Sequence, residues 1–284
     1  MKRREFVQTA SFAAVGMLSM PLFMAAGKSK KKRLGLQLYT LRDIIGTDPK
    51  GILDKVAGFG YKKLETYGYA DGKIFGLDFQ EFASHAKSLG MKITSGHYGL
   101  DKLEGDIWPK AVDDAKKAGQ EYMVIAYIDE SARKSLDDYK TICNNLNKAG
   151  EICNKNGIRF GYHNHAFEFD KLDGEVPYDL MLKELDHKNV SMEMDLFWVF
   201  NAGVDPVKYF DAYPGRFEQW HVKDMDKNDR NRNADVGTGA IDFKSLFQHA
   251  KLSGMKHWYV EQETYPGDPL DSASASATYM KSIL

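Results

Sequence analysis

The chain has 284 residues, 43% of them hydrophobic, with 39 Lys+Arg against 40 Asp+Glu. That length buries one large core and suits a single (β/α) barrel of ~250 residues or two smaller domains. The balanced charge supplies no basic field for a nucleic acid, so no such partner is expected.

The chain opens with MKRREFVQTASFAAVGMLSMPLFMAAG, which has a charged head, an apolar middle and small residues at its end. This is the pattern of a secretory signal. Its Arg3-Arg4-x-Phe6 order resembles a twin-arginine export signal. The reading divides the chain into a signal peptide over 1–27, a basic leader over 28–33 (KSKKKR) and one catalytic domain over 34–284. Export, to a periplasm, is the expected localisation. No later segment approaches ~20 uninterrupted apolar residues, so no membrane span is expected once the signal is removed.

From Arg33 onward, short β-rich runs alternate with helical patterns, the layout of a parallel sheet with crossover helices. The runs are RLGLQLY, KKLETY, KITSGHY, EYMVIAYI, IRFGYHNH, VSMEMDLF, FEQWHVKD and HWYVEQE. Between them lie helical stretches such as PKGILDKVAGFG, DFQEFASHAKSLG, IWPKAVDDAKKAG and SLDDYKTICNNLNKAGEICNKNG, several ending in the Gly that commonly follows a helix. Eight units in roughly 250 residues favour a closed (β/α)8 TIM barrel over an open doubly wound sheet. No G-x-G-x-x-G follows the first run. Cys143 and Cys153 lie in one helical pattern, about 15 Å apart along its axis at ~1.5 Å per residue, too far for a disulfide.

Strands of a parallel barrel normally read as apolar on both faces. These do not. With a period of two, Ile158, Phe160 and Tyr162 face the helices, while Gly161, His163 and His165 face inward. The same sorting turns Glu193 and Asp195, His221 and Lys223, and Glu261 and Glu263 inward. Earlier in the chain it does the same for Gln37, Tyr39 and Glu65. Carboxylates and imidazoles therefore converge at the C-terminal strand ends, where barrel enzymes place their active sites. Buried charges are costly unless paired or bound to a metal. A divalent cation explains how His163, Asp195, His221 and Glu261 share one space. Carboxylate and imidazole ligands suit Mn²⁺, Zn²⁺, Fe²⁺ or Co²⁺ alike.

The stretches GLQLYTLRD, LETYGY, SGHYGL, GYHNHAFEF, MEMDLFWVFNAGVDP, WHVKDM, DVGTGAIDF and YVEQE resemble the xylose isomerase-like barrel superfamily, in its sugar (phosphate) isomerase/epimerase branch. The resemblance implies one divalent metal held at the ends of strands five to eight, usually by Glu, Asp, His and Glu. The matching positions are His163, Asp195, His221 and Glu261, so strand five carries His where Glu is usual. In many family epimerases that Glu is also one of two acid/base carboxylates, so the departure questions a simple two-Glu mechanism. The resemblance further implies substrate roles for Glu65 and His97, and a loop leading into helix seven at GTGAIDF.

The chemistry expected is proton abstraction next to a sugar carbonyl through an enediolate, with Glu261, His165, Lys223 and Glu65 as candidates to move or balance the proton. Tyr39, Trp198, Tyr67, His97 and Glu263 are the candidate substrate contacts, the aromatic rings by stacking on a sugar face. A metal-dependent isomerase or epimerase on a carbohydrate is the leading expectation. A lyase or dehydratase on a keto-sugar or a 3-keto-glucoside is its alternative, because an exported protein rarely meets sugar phosphates. A non-catalytic carbohydrate-binding barrel and a phosphodiesterase of the AP-endonuclease type are the rival classes.

Overall fold

A computed structural model describes residues 33–284. The expected signal peptide and all of the basic leader except Arg33 lie outside the described residues. Eight parallel strands close into one barrel in sequence order: β1 (Gly35–Gln37), β2 (Lys63–Thr66), β3 (Lys92–Tyr98), β4 (Tyr122–Ile125), β5 (Arg159–His163), β6 (Val190–Asp195), β7 (Phe217–Val222) and β8 (His257–Val260). Each of the eight β-rich runs contributes one strand. β1 pairs with both β2 and β8, which closes the ring. The closure is tight at Gly35, where a Cβ would stand 2.2 Å from the Trp258 carbonyl oxygen.

The helices begin where the sequence offers a cap. Asp48 accepts from the Gly51 N–H to start α1 (Pro49–Gly58), and Asp78 caps α2 (Phe79–Ser88). After α3 (Ile107–Ala118), Gly119 adopts the left-handed conformation that ends the helix. Ser135 and Asp138 form a reciprocal capping box for α4 (Leu136–Lys155). Cys143 and Cys153 are both free thiols buried under this helix, as their spacing required.

The outward strand residues pack as the alternation predicts. Trp220 stacks on Phe210 with ring centroids 5.0 Å apart, and Trp258 meets Phe247 edge-on at 5.5 Å. That leaves the interior of the barrel to polar side chains. Gln37, Glu65, Ser95, Ser191, Glu193 and Gln219 are all fully buried. Among the described residues no helix is long and apolar enough to cross a membrane.

Candidate active site

Four consecutive strands deliver the expected ligand group. His163 ends β5, Asp195 ends β6, His221 lies in β7, and Glu261 follows β8. One donor atom from each lies within 4.8 Å of all the others. His221 Nδ1 is 3.0 Å from Glu261 Oε2 and 3.8 Å from Asp195 Oδ2, and His163 Nε2 is 3.4 Å from Asp195 Oδ2. Neither His163 Nε2 nor Asp195 Oδ2 has a hydrogen-bond partner, although both are buried. Buried polar atoms are normally paired. Two bare donors facing each other among imidazole and carboxylate ligands fit a divalent cation of the Mn, Zn, Co or Fe type.

Local structure holds this group in place. The other oxygen of Asp195 accepts from the Trp198 N–H, so the same side chain caps α6 (Leu196–Asn201). Asn164 is buried, and its amide clamps the end of β6: Oδ1 accepts from the Asp195 N–H at 3.1 Å.

A second cluster lies beneath the first and was not anticipated. His97 Nε2 is 2.7 Å from Glu193 Oε2, and His221 Nε2 is 2.6 Å from Glu65 Oε2. His97 stacks on His221 with centroids 5.1 Å apart. His221 thus belongs to both groups, one ring nitrogen facing each. Alternation had turned Glu193 inward but gave it no role.

The electrostatics follow from packing four carboxylates and three imidazoles together. Burial disfavours the His221 imidazolium, but Glu193, Glu261 and Glu65 outweigh it and push its pKa well above the usual value. Burial likewise raises Glu65, yet His97 and His221 bring it down to about 2. Glu193, buried and beside Glu65, is pushed up to about 7. Burial, then the neighbouring His221 and His97, drives the His163 imidazole well below its ordinary pKa; burial and His163 do the same to His165. Both imidazoles are therefore neutral at pH 7.

Lys223 was a candidate proton mover. Its ammonium bonds to Glu263, lies 3.3 Å from Glu261 and 3.8 Å from Asp195, and sits over the Phe197 and Trp198 rings. Burial lowers its pKa, but Glu261, Asp195 and Glu263 together hold it above the usual lysine range. Lys223 is thus a fixed positive charge.

Above the ligand group opens a cavity of about 390 Å³. His97, His163, His165, Glu261 and Glu263 line its polar end, and Tyr39, Tyr67 and Tyr127 line its mouth. Tyr39 left its strand: β1 stops at Gln37, and Leu38–Leu41 forms a 3₁₀ turn that carries the ring to the rim, 37% exposed. His165 lies beyond β5 with a buried Nδ1 that has no partner, and Trp198 stands 5.4 Å from it with its own Nε1 unpartnered. Glu65, by contrast, is fully buried beneath the site and does not line the cavity.

The GTGAIDF stretch wraps a single carboxylate. The backbone N–H groups of Gly237, Gly239 and Ile241, with that of Met225, all donate to Asp224. Gly239 has no room for a side chain, because a Cβ would sit 2.3 Å from Asp224 Oδ1. Asp224 is therefore the organiser of this loop, a role that its position after His221 and Lys223 did not reveal.

The barrel and its strand-end site define a class, and comparison with known proteins agrees. The model of the xylose isomerase-like TIM barrel family matches residues 53–283, and the chain belongs to that family. A sugar phosphate isomerase/epimerase from Parabacteroides distasonis superimposes with a TM-score of 0.78 at 27% identity, covering 90% of this chain and 96% of its own. The IOLI protein with a bound zinc atom shares the fold, at a TM-score of 0.69 and 13% identity over 88% of this chain and 97% of its own. An inosose dehydratase from Geobacillus thermodenitrificans is 24% identical over 164 residues, which are 51% of this chain and 54% of that protein. The matched stretch thus spans about half the length of this relative.

Proposed function

We propose that the protein is a metal-dependent lyase that eliminates a β-leaving group from an uncharged keto-sugar or cyclic keto-polyol. One observation carries this reading. Both carboxylates that line the cavity, Glu261 and Glu263, lie on the wall after β8 and are tied to Lys223, whereas the His165 ring lines the same cavity with no side-chain hydrogen bond or ion pair, its Nδ1 buried. Epimerisation by the family's two-carboxylate route needs bases on opposite faces of the substrate. Elimination on one face needs a single group to take the proton and return it. The dehydratase names among the sequence relatives support the same choice over the isomerase or epimerase expected first.

His163, Asp195, His221 and Glu261 would hold the cation, which when bound supplies Lewis-acid polarisation of a carbonyl. The chain's own residues do the rest. Lys223 does not line the cavity; paired with Asp195, Glu261 and Glu263, it balances the charge of those carboxylates. His165 takes the proton from the carbon next to the carbonyl. The bond from the β-carbon to the leaving oxygen breaks, and the proton passes from His165 to that oxygen, giving an enone and a released alcohol or water. Tyr39, Tyr67 and Tyr127 pack against the sugar or its leaving group, and His97 and Glu263 contact its hydroxyls.

No lysine or arginine lines the cavity, which supports an uncharged substrate over a sugar phosphate. The twin-arginine-like stretch at the N-terminus supports the same choice. The test is release of the leaving group from 3-keto-glucosides and keto-inositols by protein loaded with Zn²⁺, Mn²⁺ or Co²⁺, against a chelator-treated control. Release that depends on the added cation is expected. Metal-dependent turnover of sugars with no group released would replace this reading with an isomerase or epimerase.

A further inference from the structure

Glu65 was a candidate proton mover on sequence grounds, but no path leads from it to a substrate. It is fully buried one layer beneath the ligand group. What it does touch is the far nitrogen of His221. We propose that Glu65 is a positioning residue: it keeps the His221 proton on Nε2, so that Nδ1 is the nitrogen turned toward the cation. This inference rests on the metal site described above.

The hydrogen-bond directions fix the arrangement. The Gln37 side-chain oxygen accepts from the Tyr39 backbone N–H at 3.0 Å. That contact pins the orientation of the Gln37 amide, so its NH₂ group faces Glu65 and donates to Oε2 at 2.8 Å. The Glu65 oxygen is therefore an acceptor. His221 Nε2, 2.6 Å from the same oxygen, must be the donor. The opposite edge of the ring carries Nδ1 toward Glu261, Asp195 and the bare Nε2 of His163. A carboxylate holding the remote N–H of a metal-bound histidine fixes ring and tautomer, and its loss typically costs ~10–100-fold in metal affinity.

The deeper cluster is not itself a second cation site. Nitrogen and oxygen ligands at ~2.0–2.1 Å from a tetrahedral ion stand about 3.3 Å apart. The His221–Glu65 and His97–Glu193 contacts, at 2.6 and 2.7 Å, are hydrogen bonds. Glu65 bonds His221, which both groups share, and Glu193 bonds His97 within the deeper cluster.

The experiment measures Zn²⁺ affinity by competition with a chromogenic chelator for the wild type, Glu65→Gln and Glu65→Leu. It is joined to ¹⁵N-histidine NMR of the Zn²⁺-loaded wild type. One bound equivalent is expected, with the His221 proton on Nε2 and a metal-shifted Nδ1. Glu65→Leu should bind ~10–100-fold more weakly. Glu65→Gln should fall between, since its amide oxygen can still accept from Nε2–H. Equal affinity in all three proteins, or a bare Nε2 in the loaded wild type, overturns the proposal while leaving the metal site standing. A wild type that binds no Zn²⁺ overturns the metal site itself, and this inference with it. Should Glu65→Leu not fold, Glu65→Gln and the wild-type spectrum decide.

Discussion

His163 Nε2 and Asp195 Oδ2 face each other across 3.4 Å at the ends of adjacent strands, both buried and both without a hydrogen-bond partner. An unpaired buried donor or acceptor costs about 1–3 kcal/mol, so this pair is a standing expense unless something binds between them. Asp195→Asn separates the two tasks of that side chain. The amide oxygen still caps α6 through the Trp198 N–H, while the anionic ligand is gone. The expected outcome is unchanged helical circular dichroism with loss of bound metal by elemental analysis. His163→Ala is expected to behave likewise. Full metal occupancy in both variants would defeat the ligand set.

How much of this was legible beforehand depends on whether a residue's face or its depth is at issue. Alternation along β5 to β8 picked out the four residues that the structure brings within 4.8 Å of one another, because face follows from period two. Depth does not. The strands are staggered, so His163 is level with Glu193, while Asp195 is level with His221. The register also slips between Leu64 and Glu65, and between Met192 and Glu193. Nothing in KLET or SMEMD records those slips. Glu65 therefore read as a residue of the cavity, and Glu193 received no part.

Asp224 gives a stability prediction with no catalytic content. Its carboxylate accepts from four backbone N–H groups, of Met225, Gly237, Gly239 and Ile241. Asp224→Ala strips all four of their partner and is expected to lower unfolding free energy by about 3 kcal/mol or more in a urea titration. Asp224→Asn, which keeps an acceptor oxygen, should lose less. Equal losses in the two variants would show that the amides are not what the carboxylate serves.

Glu168 gives a pH dependence. It is fully buried behind His165, accepting from the Tyr162 hydroxyl at 2.6 Å and the His165 N–H at 2.9 Å. Burial pushes its carboxyl up from 4.5 to about 7. The folded state therefore holds this proton more tightly than the unfolded chain. The stabilising contribution is fully present below the unfolded value and is lost as pH rises through about 7. Glu168→Gln mimics the protonated group at every pH. Wild-type stability, measured by urea unfolding at intervals across this range, is expected to fall relative to Glu168→Gln as pH increases. Parallel stability profiles for the two proteins would contradict the assignment.

The most direct test of the central claim is proton NMR of the products formed in D₂O from 3-keto-glucosides and keto-inositols by the metal-loaded protein. Elimination predicts an unsaturated ketone together with the free leaving group, with formation abolished by chelation and depressed ~10²–10⁴-fold in His165→Ala. A product that keeps its leaving group and carries solvent deuterium at the carbon next to the carbonyl would contradict the lyase. That result would establish an isomerase or epimerase in its place.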